Sequence, residues 1–471
     1  MGSKNRIYMD IMSMHNEVTG SCNLCVLKLP DRETRRFIVD CGLFQESEYS
    51  DYNTELLFTP EKVEFALITH NHVDHIGKLP YVVKKGFRGN IYTTVPTGIL
   101  MHPALFDSQK VLSDVAKRNH TSVMYEEKEV ATTLGLLRVC DYETEVKIDE
   151  NIKVTFFKNG HLIGAAVILL QISYPGCDDI NVIFTGDYNN KNKFFDVKKL
   201  PDWVLELPLT IVQESTYGNM DSTEIKQTMQ NNVVNCLAKK GTVVLMVFAL
   251  GREQEVLYDL KCMQDLGVLD VSIPIYVDGK LGLKYTTLYG KANLGIREDM
   301  LNFIPQNTVF VDSDLRDELL NDIESKIIVT TSGMGSYGPA QVYIPEYITR
   351  ENALLQFTGY TAEGTLGYRL KTTEIGETVN IGSVLVKKRA QVEYTTEYSA
   401  HAKADEMIEF LQGFKNLKLV LVNHGETETK EIFANRVLEE VDTKRVGILD
   451  RRYFFRITPY GLEKTLPTKF M

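Results

Sequence analysis

An α/β fold is predicted: a sheet-based domain with one functional edge, interrupted by a second α/β unit. Three observations predict it. Short apolar runs stop repeatedly at polar residues with reactive side chains. Between Glu214 and Tyr398, strand-like and helix-like runs alternate instead. After residue 398 the first pattern returns.

In the first stretch, Phe37-Ile38-Val39 ends at Asp40 and Phe65-Ala66-Leu67-Ile68-Thr69 ends at His70. Residues 152–157 lead to His161, Val182-Ile183-Phe184 to Asp187, and 209–212 to Glu214. Short runs rich in Val, Ile, Leu and Phe, closed by polar or glycine-bearing turns, are buried strands. Side chains just past such ends sit on loops held by a rigid sheet. In the middle stretch, 225–237 and 253–264 carry helical periodicity, while 242–248, 273–277, 327–330 and 353–357 have strand character. Strands alternating with helices indicate a parallel sheet. Glycine-rich turns at Ser332-Gly333-Met334-Gly335 and Thr358-Gly359 punctuate it. In the last stretch, His401 follows Ser399-Ala400, and 417–422 leads to Asn423-His424. A helix over 427–441 and two short strands are expected after that. One domain interrupted by another is the simplest account, with boundaries at 1–214, 215–395 and 396–471.

A chain of 471 residues holds two or three domains. With 44% hydrophobic and 24% charged residues, its composition is that of a globular protein. No signal-peptide-like stretch is present, and the longest apolar runs fall far short of the roughly 20 residues that span a bilayer. The expectation is a protein without a membrane partner. Seven irregularly spaced cysteines suggest no disulfide framework and point to the cytoplasm. The net charge of −11 argues against coating nucleic acid through a broad basic face. It does not exclude a nuclease, because bound divalent metals bring positive charge to a phosphate. The densest basic run, Lys387-Lys388-Arg389, is either a solvated strand end or a nucleic-acid contact.

Only nine histidines are present, and three fall in His70-Asn71-His72-Val73-Asp74-His75. Residues two apart in extended backbone point the same way, so His70 and His72 can grip one metal. Asp74 and His75 follow at the turn and can reach a second. Imidazole and carboxylate suit zinc or a similar divalent ion. His161, Asp187 and His424 each follow a strand-like run and complete the set by their joint pattern. Taken singly, each is more often a hydrogen-bonding turn residue than a ligand.

His-x-His-x-Asp-His followed by Ile76-Gly77 resembles the metal motif of the metallo-β-lactamase superfamily. Asp40 in Val-Asp-Cys-Gly, Gly160-His161 and Thr185-Gly186-Asp187 follow in the expected order. Glu214-Ser215-Thr216-Tyr217-Gly218, Gly251-Arg252-Glu253-Gln254-Glu255, Ser399-Ala400-His401-Ala402 and Asn423-His424-Gly425-Glu426 resemble the β-CASP branch, the nucleic-acid-processing nucleases. The resemblance runs from about residue 7 to at least 450. Its nearest group includes the cleavage and polyadenylation endonuclease subunit and its short bacterial and archaeal relatives. The fold it implies is an αββα metallo-β-lactamase sandwich carrying an inserted parallel-sheet β-CASP domain.

Residue by residue, the resemblance implies His70, His72 and His161 on one zinc, and Asp74, His75 and His424 on another. Asp187 would bridge them, and Asp40 would orient a ligand histidine. Two Zn2+ ions are the expected cofactors, with Mn2+ the alternative. Such a pair acidifies a water from about 15.7 toward neutrality. By the same resemblance the water would attack phosphorus in line, and the leaving sugar oxygen would need a proton. Asp187, Glu214 and His401 are the implied catalytic residues, His401 as general acid and Glu214 as its partner. From the residues alone, a histidine on a turn is more often structural.

The position matching His424 is histidine in RNA-processing members and tends to be valine in DNA-repair members. The resemblance therefore implies a ribonuclease with an RNA partner. The inserted domain is expected to form the RNA cleft, with Arg252, Ser332, Arg369 and Lys280 as phosphate contacts or as ordinary surface residues. Two departures stand out. Lys403 occupies a position where relatives often carry aspartate, which bears on the support of His401. The loop His15-Asn16-Glu17-Val18-Thr19-Gly20-Ser21 is less glycine-rich than in many relatives. A dinuclear endoribonuclease is the main expectation. The rivals are a 5′ exoribonuclease of ribonuclease J type and a metallo-hydrolase of a small ester. Ribonuclease J enzymes carry a further C-terminal domain of about a hundred residues, whereas 47 residues follow His424. For the oligomeric state, a homodimer is the base-rate expectation.

Overall fold

The structure is a computed structural model and describes residues 6–468 except 31, 33, 46, 225–227, 292, 293, 360, 362, 363 and 383. The first residues of the predicted helix 225–237 thus lie outside the described residues. The chain forms two compact units. One comprises Met1–Asn192, Asp196–Ser222 and His401–Met471, the other Lys193–Phe195 and Thr223–Ala400.

The first unit holds two sheets. One has eight strands in the order Gly461–Pro467, Tyr453–Thr458, Tyr8–Ser13, Asn23–Lys28, Arg35–Val39, Phe65–Leu67, Asn90–Thr94 and Leu137–Cys140. The other has seven, in the order Val446–Ile448, Leu417–Asn423, Leu209–Glu214, Ile180–Phe184, Ala166–Ile172, Ile152–Lys158 and Glu145–Lys147. Alternate residues of the two sheets form a single core. Met9, Ile11, Phe37, Val39 and Leu67 from one meet Val154, Phe156, Ile168, Val182 and Leu421 from the other. The opposite face of the seven-stranded sheet supplies Leu169, Ile183, Ile211 and Val420, covered by the helices Ala404–Gln412 and Thr427–Glu440. Helices Leu79–Lys84, Val95–Asn119 and Glu127–Gly135 lie beside the eight-stranded sheet. Period-two alternation with both faces buried explains the near-continuous apolar runs, and the result is the αββα sandwich.

Register brings the strand ends to one edge. Val39 pairs in parallel with Leu67, Phe184 with Val212, and Glu214 with Asn423. Asp40, His70, Asp187, Glu214 and His424 therefore leave their sheets on the same side. Two of them leave in left-handed backbone, Asp40 at φ 61° and His424 at φ 48°. Such a conformation is uncommon without glycine and concentrates at functional sites.

The second unit has a six-stranded, wholly parallel sheet in the order Thr308–Phe310, Ile275–Asp278, Lys326–Thr330, Thr242–Met246, Ala353–Phe357 and Gln391–Tyr394. Helices Met229–Ala238, Arg252–Asp265 and Ala340–Tyr347 alternate with its strands. Two details depart from expectation. The strand ending at His70 stops at Leu67 because Ile68 and Thr69 turn toward the metal loop. The tail carries three strands rather than two, the extra one being the short parallel edge Val446–Ile448. No helix among the described residues is long and apolar enough to cross a membrane.

Candidate metal centre

The metal loop is clamped by backbone. Ser21 N donates to Asp74 O at 2.8 Å, and Cys41 N donates to His75 O at 2.7 Å. Gly42 passes so close beneath that a Cβ there would lie 1.5 Å from Asp74 O. His72 caps a single helical turn, Val73–Ile76, which turns Asp74 and His75 inward.

Two groups of ligand-type atoms result. His70, His72, His161 and Asp187 form one, and Asp74, His75 and His424 the other, with the atoms of each group within 4.8 Å of one another. Asp187 reaches both groups. Its Oδ2 lies 3.5 Å from Nε2 of His70 and of His161. Its Oδ1 lies 3.1 Å from His75 Nε2 and 3.3 Å from His424 Nε2.

The donor set fits divalent metals. Asp40 Oδ2 accepts the Thr69 hydroxyl proton at 2.8 Å and the His75 Nδ1 proton at 2.8 Å. Thr69 Oγ1, its proton committed, accepts from His70 Nδ1 at 3.0 Å. His70 therefore directs a bare Nε2 lone pair into the site, and His75 does the same once a metal displaces the proton on its Nε2. His75 Nε2 and His424 Nε2 stand 3.2 Å apart, and His161 Nε2 stands 3.0 Å from His72 Nδ1. Among the described residues, His70 Nε2 and Asp187 Oδ1 are buried with no hydrogen-bond partner. Converging lone pairs and orphaned buried acceptors are what a cation satisfies.

Burial and neighbours shape the charges. Burial pushes His70 well below its ordinary value, with His75 adding to the effect. Burial likewise brings His424 down to about 4. Burial alone would raise Asp187, yet the surrounding imidazoles, His424 and His75 foremost, hold it well below the carboxylate range. His75 goes the other way: burial opposes its charged form, but the Asp187 and Asp40 carboxylates outweigh burial and raise it well above its ordinary value, so metal binding there displaces a proton.

His401 stands at the rim with its Nδ1 2.9 Å from Glu214 Oε1 and its Nε2 3.8 Å from Asp187 Oδ2. Burial opposes its charged form, but the Glu214 and Asp187 carboxylates outweigh burial and raise it. Glu214 is fixed in turn: Tyr188 N donates to Oε1 at 2.6 Å and Thr216 N to Oε2 at 3.0 Å.

Several supporting residues escaped the sequence. Asn159 Oδ1 accepts from His161 N at 2.9 Å, while its Nδ2 donates to Asp187 O at 2.6 Å, joining the loops that carry His161 and Asp187. Thr216 Oγ1 lies 3.1 Å from His424 Nδ1. A polar residue shortly before a ligand histidine was the available signal. His15 is buried, its ring 5.8 Å from that of His424.

The proposed phosphate contacts belong to the second unit. Arg252 is buried, its guanidinium donating to Thr358 O and lying 5.8 Å from the Tyr398 ring. Ser332 Oγ accepts from Tyr337 N at 3.2 Å, and Arg369 and Lys280 are exposed. In Lys387-Lys388-Arg389, the middle lysine is buried and donates to Leu370 O at 2.8 Å and Thr373 O at 2.5 Å. Its charge closes a loop.

Comparison with known proteins follows the same order along the chain. Residues 29–202 match a metallo-β-lactamase superfamily domain, 253–370 a β-CASP domain, and 385–447 a Zn-dependent metallo-hydrolase RNA specificity domain. The chain is 30% identical over 453 residues to transcription termination factor FttA of Methanosarcina mazei, covering 90% of this chain and 68% of that one. It belongs to the β-CASP branch of the metallo-β-lactamase superfamily. As a β-CASP protein it is a metal-dependent hydrolase. It is also 29% identical over 449 residues to ribonuclease TTHA0252 of Thermus thermophilus, covering 92% of this chain and 96% of that one. To endoribonuclease ysh1 of Schizosaccharomyces pombe it is 29% identical over 400 residues, covering 83% and 51% respectively.

Proposed function

We propose that this β-CASP protein is an endoribonuclease that hydrolyses RNA phosphodiester bonds with two zinc ions, His70, His72 and His161 holding one and Asp74, His75 and His424 the other. Asp187 serves both. The single observation that carries this reading is the His401–Glu214 pair, set beside the ligand cluster with Nε2 turned toward Asp187. A hydrolase that needed only an activated water would have no use for it. RNA as substrate is supported by the RNA specificity domain match and by the presence of His424.

The chemistry supplied by the metals when bound is an acidified water and neutralised phosphate charge. The remaining work falls to the chain. Glu214, locked by two backbone amides, holds His401 Nδ1 and keeps the ring protonated. His401 Nε2 then gives its proton to the sugar oxygen leaving phosphorus. Asp40 and Thr69 keep His75 and His70 in the tautomer that offers Nε2 inward. The free cysteines suit a reducing, cytoplasmic setting.

The test is cleavage of end-labelled RNA, bearing 5′ triphosphate or 5′ monophosphate, and of matching DNA, with zinc or manganese. Internal fragments from both RNAs are expected. Mononucleotides released only from 5′-monophosphorylated RNA would replace the endonuclease with an exonuclease. Cleavage of DNA alone, or of neither polymer by fully metallated protein, would overturn the substrate class.

A further inference from the structure

Lys403 breaks three local rules at once. It is only 1% exposed, although ammonium groups are rarely buried. It occupies the N-cap of the helix Ala404–Gln412, where Ser, Thr, Asp or Asn is preferred. Its positive charge stands at the end of a helix that favours a negative one. Where local preference is overridden this consistently, the residue serves something other than the element it sits on.

The ammonium lies directly over the ring of Tyr217, with Nζ 3.3 Å from the centroid. The Tyr217 ring in turn meets His401 edge to face, with centroids 6.0 Å apart at 72°. Tyr217 leaves the strand Leu209–Glu214 three residues after Glu214, and Lys403 follows His401 by two. One cation–aromatic contact thus joins the segment bearing the carboxylate to the segment bearing the imidazole. The His401 ring is bounded by Glu214 on Nδ1, by Tyr217 at 6.0 Å, by His161 at 4.7 Å and by the stacked His424 ring at 6.2 Å. Backbone bonds from Ala402 N to Tyr188 O at 2.7 Å and from Ala404 N to Met220 O at 2.8 Å align the same segments. They fix the chain but leave the His401 side chain its rotation.

We infer that Lys403 is a positioning residue for His401, acting through Tyr217 to hold the imidazole against Glu214. Its importance for cleavage rests on the proposed ribonuclease activity; its effect on the imidazole does not. A cation over an aromatic face is strongest when desolvated, as here; removal of Lys403 loosens the Tyr217 ring that packs against His401, and removal of Tyr217 takes that packing away. A guanidinium stacks on the same ring, so arginine substitutes for lysine while methionine does not.

Two readouts separate this inference from the function it refines. The first is cleavage kinetics for K403M, K403R, Y217F, Y217L and K403M/Y217L. K403M and Y217L are expected to lose ten- to hundredfold in kcat, the range that a small misplacement of a reacting group produces, with KM and metal content unchanged. K403R and Y217F retain kcat within about threefold, and the double variant falls no further than either single one. The second needs no activity: the low-field proton resonance of the His401 Nδ1–Glu214 hydrogen bond, assigned by its loss in H401A. Its exchange with water quickens in K403M and Y217L and holds in K403R. An active wild-type enzyme with K403M equal to it in both readouts overturns the inference alone. A wild-type enzyme inactive on RNA overturns the function, and the proton resonance then decides the role of Lys403 by itself. Loss of metal in K403M, or K403R failing alongside K403M in both readouts, makes Lys403 merely structural and also overturns it.

Discussion

His401 presents Nδ1 to Glu214 Oε1 at 2.9 Å while its Nε2 faces Asp187 Oδ2 at 3.8 Å, so one ring joins a fixed carboxylate to the ligand cluster without belonging to it. His401 stands outside both groups of ligand-type atoms. H401A is therefore expected to lower kcat by about 10²–10⁴-fold, the usual contribution of a positioned acid. Elemental analysis should find the same metal per chain as in the wild type. E214Q keeps the shape but not the charge, and its loss should be smaller. Metal missing from H401A would make His401 a ligand.

Asp40 supports two of the proposed ligand histidines through one oxygen, accepting from His75 Nδ1 and, through Thr69, orienting His70. D40N should weaken metal binding by about 10–100-fold, as removal of such a partner does. Asparagine tolerates the left-handed backbone at φ 61°, whereas D40A adds strain there of about 1–3 kcal/mol. Chelator competition should thus rank wild type above D40N, and thermal unfolding should place D40A below D40N.

Much of this site was legible because its parts are local. His70 to His75 is one short segment, and each outlying member of the cluster follows an apolar run, so strand periodicity pointed to it. What the sequence left hidden depends on contacts between distant segments. Asn159 gains its role only when residues 161 and 187 are brought together. Arg252, a candidate phosphate contact, also gives a guanidinium hydrogen bond to Thr358 O, which no spacing rule reveals. Lys388 fills a carbonyl cage inside a run whose charge pointed outward. The long helix Val95–Asn119 was obscured by Gly98 and Pro103 within it, residues that weaken any helical expectation. It begins properly all the same, with Thr94 Oγ1 capping Thr97 N at 3.3 Å.

Gly42 makes a stringent test of the loop clamp. An added Cβ would sit 1.5 Å from Asp74 O and 2.5 Å from His75 N. Both are backbone atoms with no rotamer to yield. G42A must displace the helical turn carrying Asp74 and His75, two proposed ligands, and should cost about 3 kcal/mol or more, as severe overpacking does. Less metal per chain and a lower unfolding temperature are expected together. Full metal content in G42A would show that the turn moves freely.

Glu253 carries a pH dependence that is independent of the metals. It lies fully buried in the second unit, where Thr286 Oγ1 donates to Oε1 at 2.8 Å and Oε2 has no hydrogen-bond partner among the described residues. Burial pushes its carboxyl up to about 8, so it is held protonated at neutrality. In the unfolded chain the same group ionises near 4.5. Between these values the folded state binds the extra proton, so stability falls as pH rises. The contribution is fully present below the lower value and gone above the higher one, with a slope of about 1.4 kcal/mol per pH unit in between. E253Q keeps the shape and a neutral group but cannot ionise. Denaturant unfolding of both proteins from pH 5 to 9 should show E253Q gaining on the wild type as pH rises, then running parallel above about 8. A constant difference across that range would mean that Glu253 is ionised in the folded protein, and that a partner for its second oxygen exists.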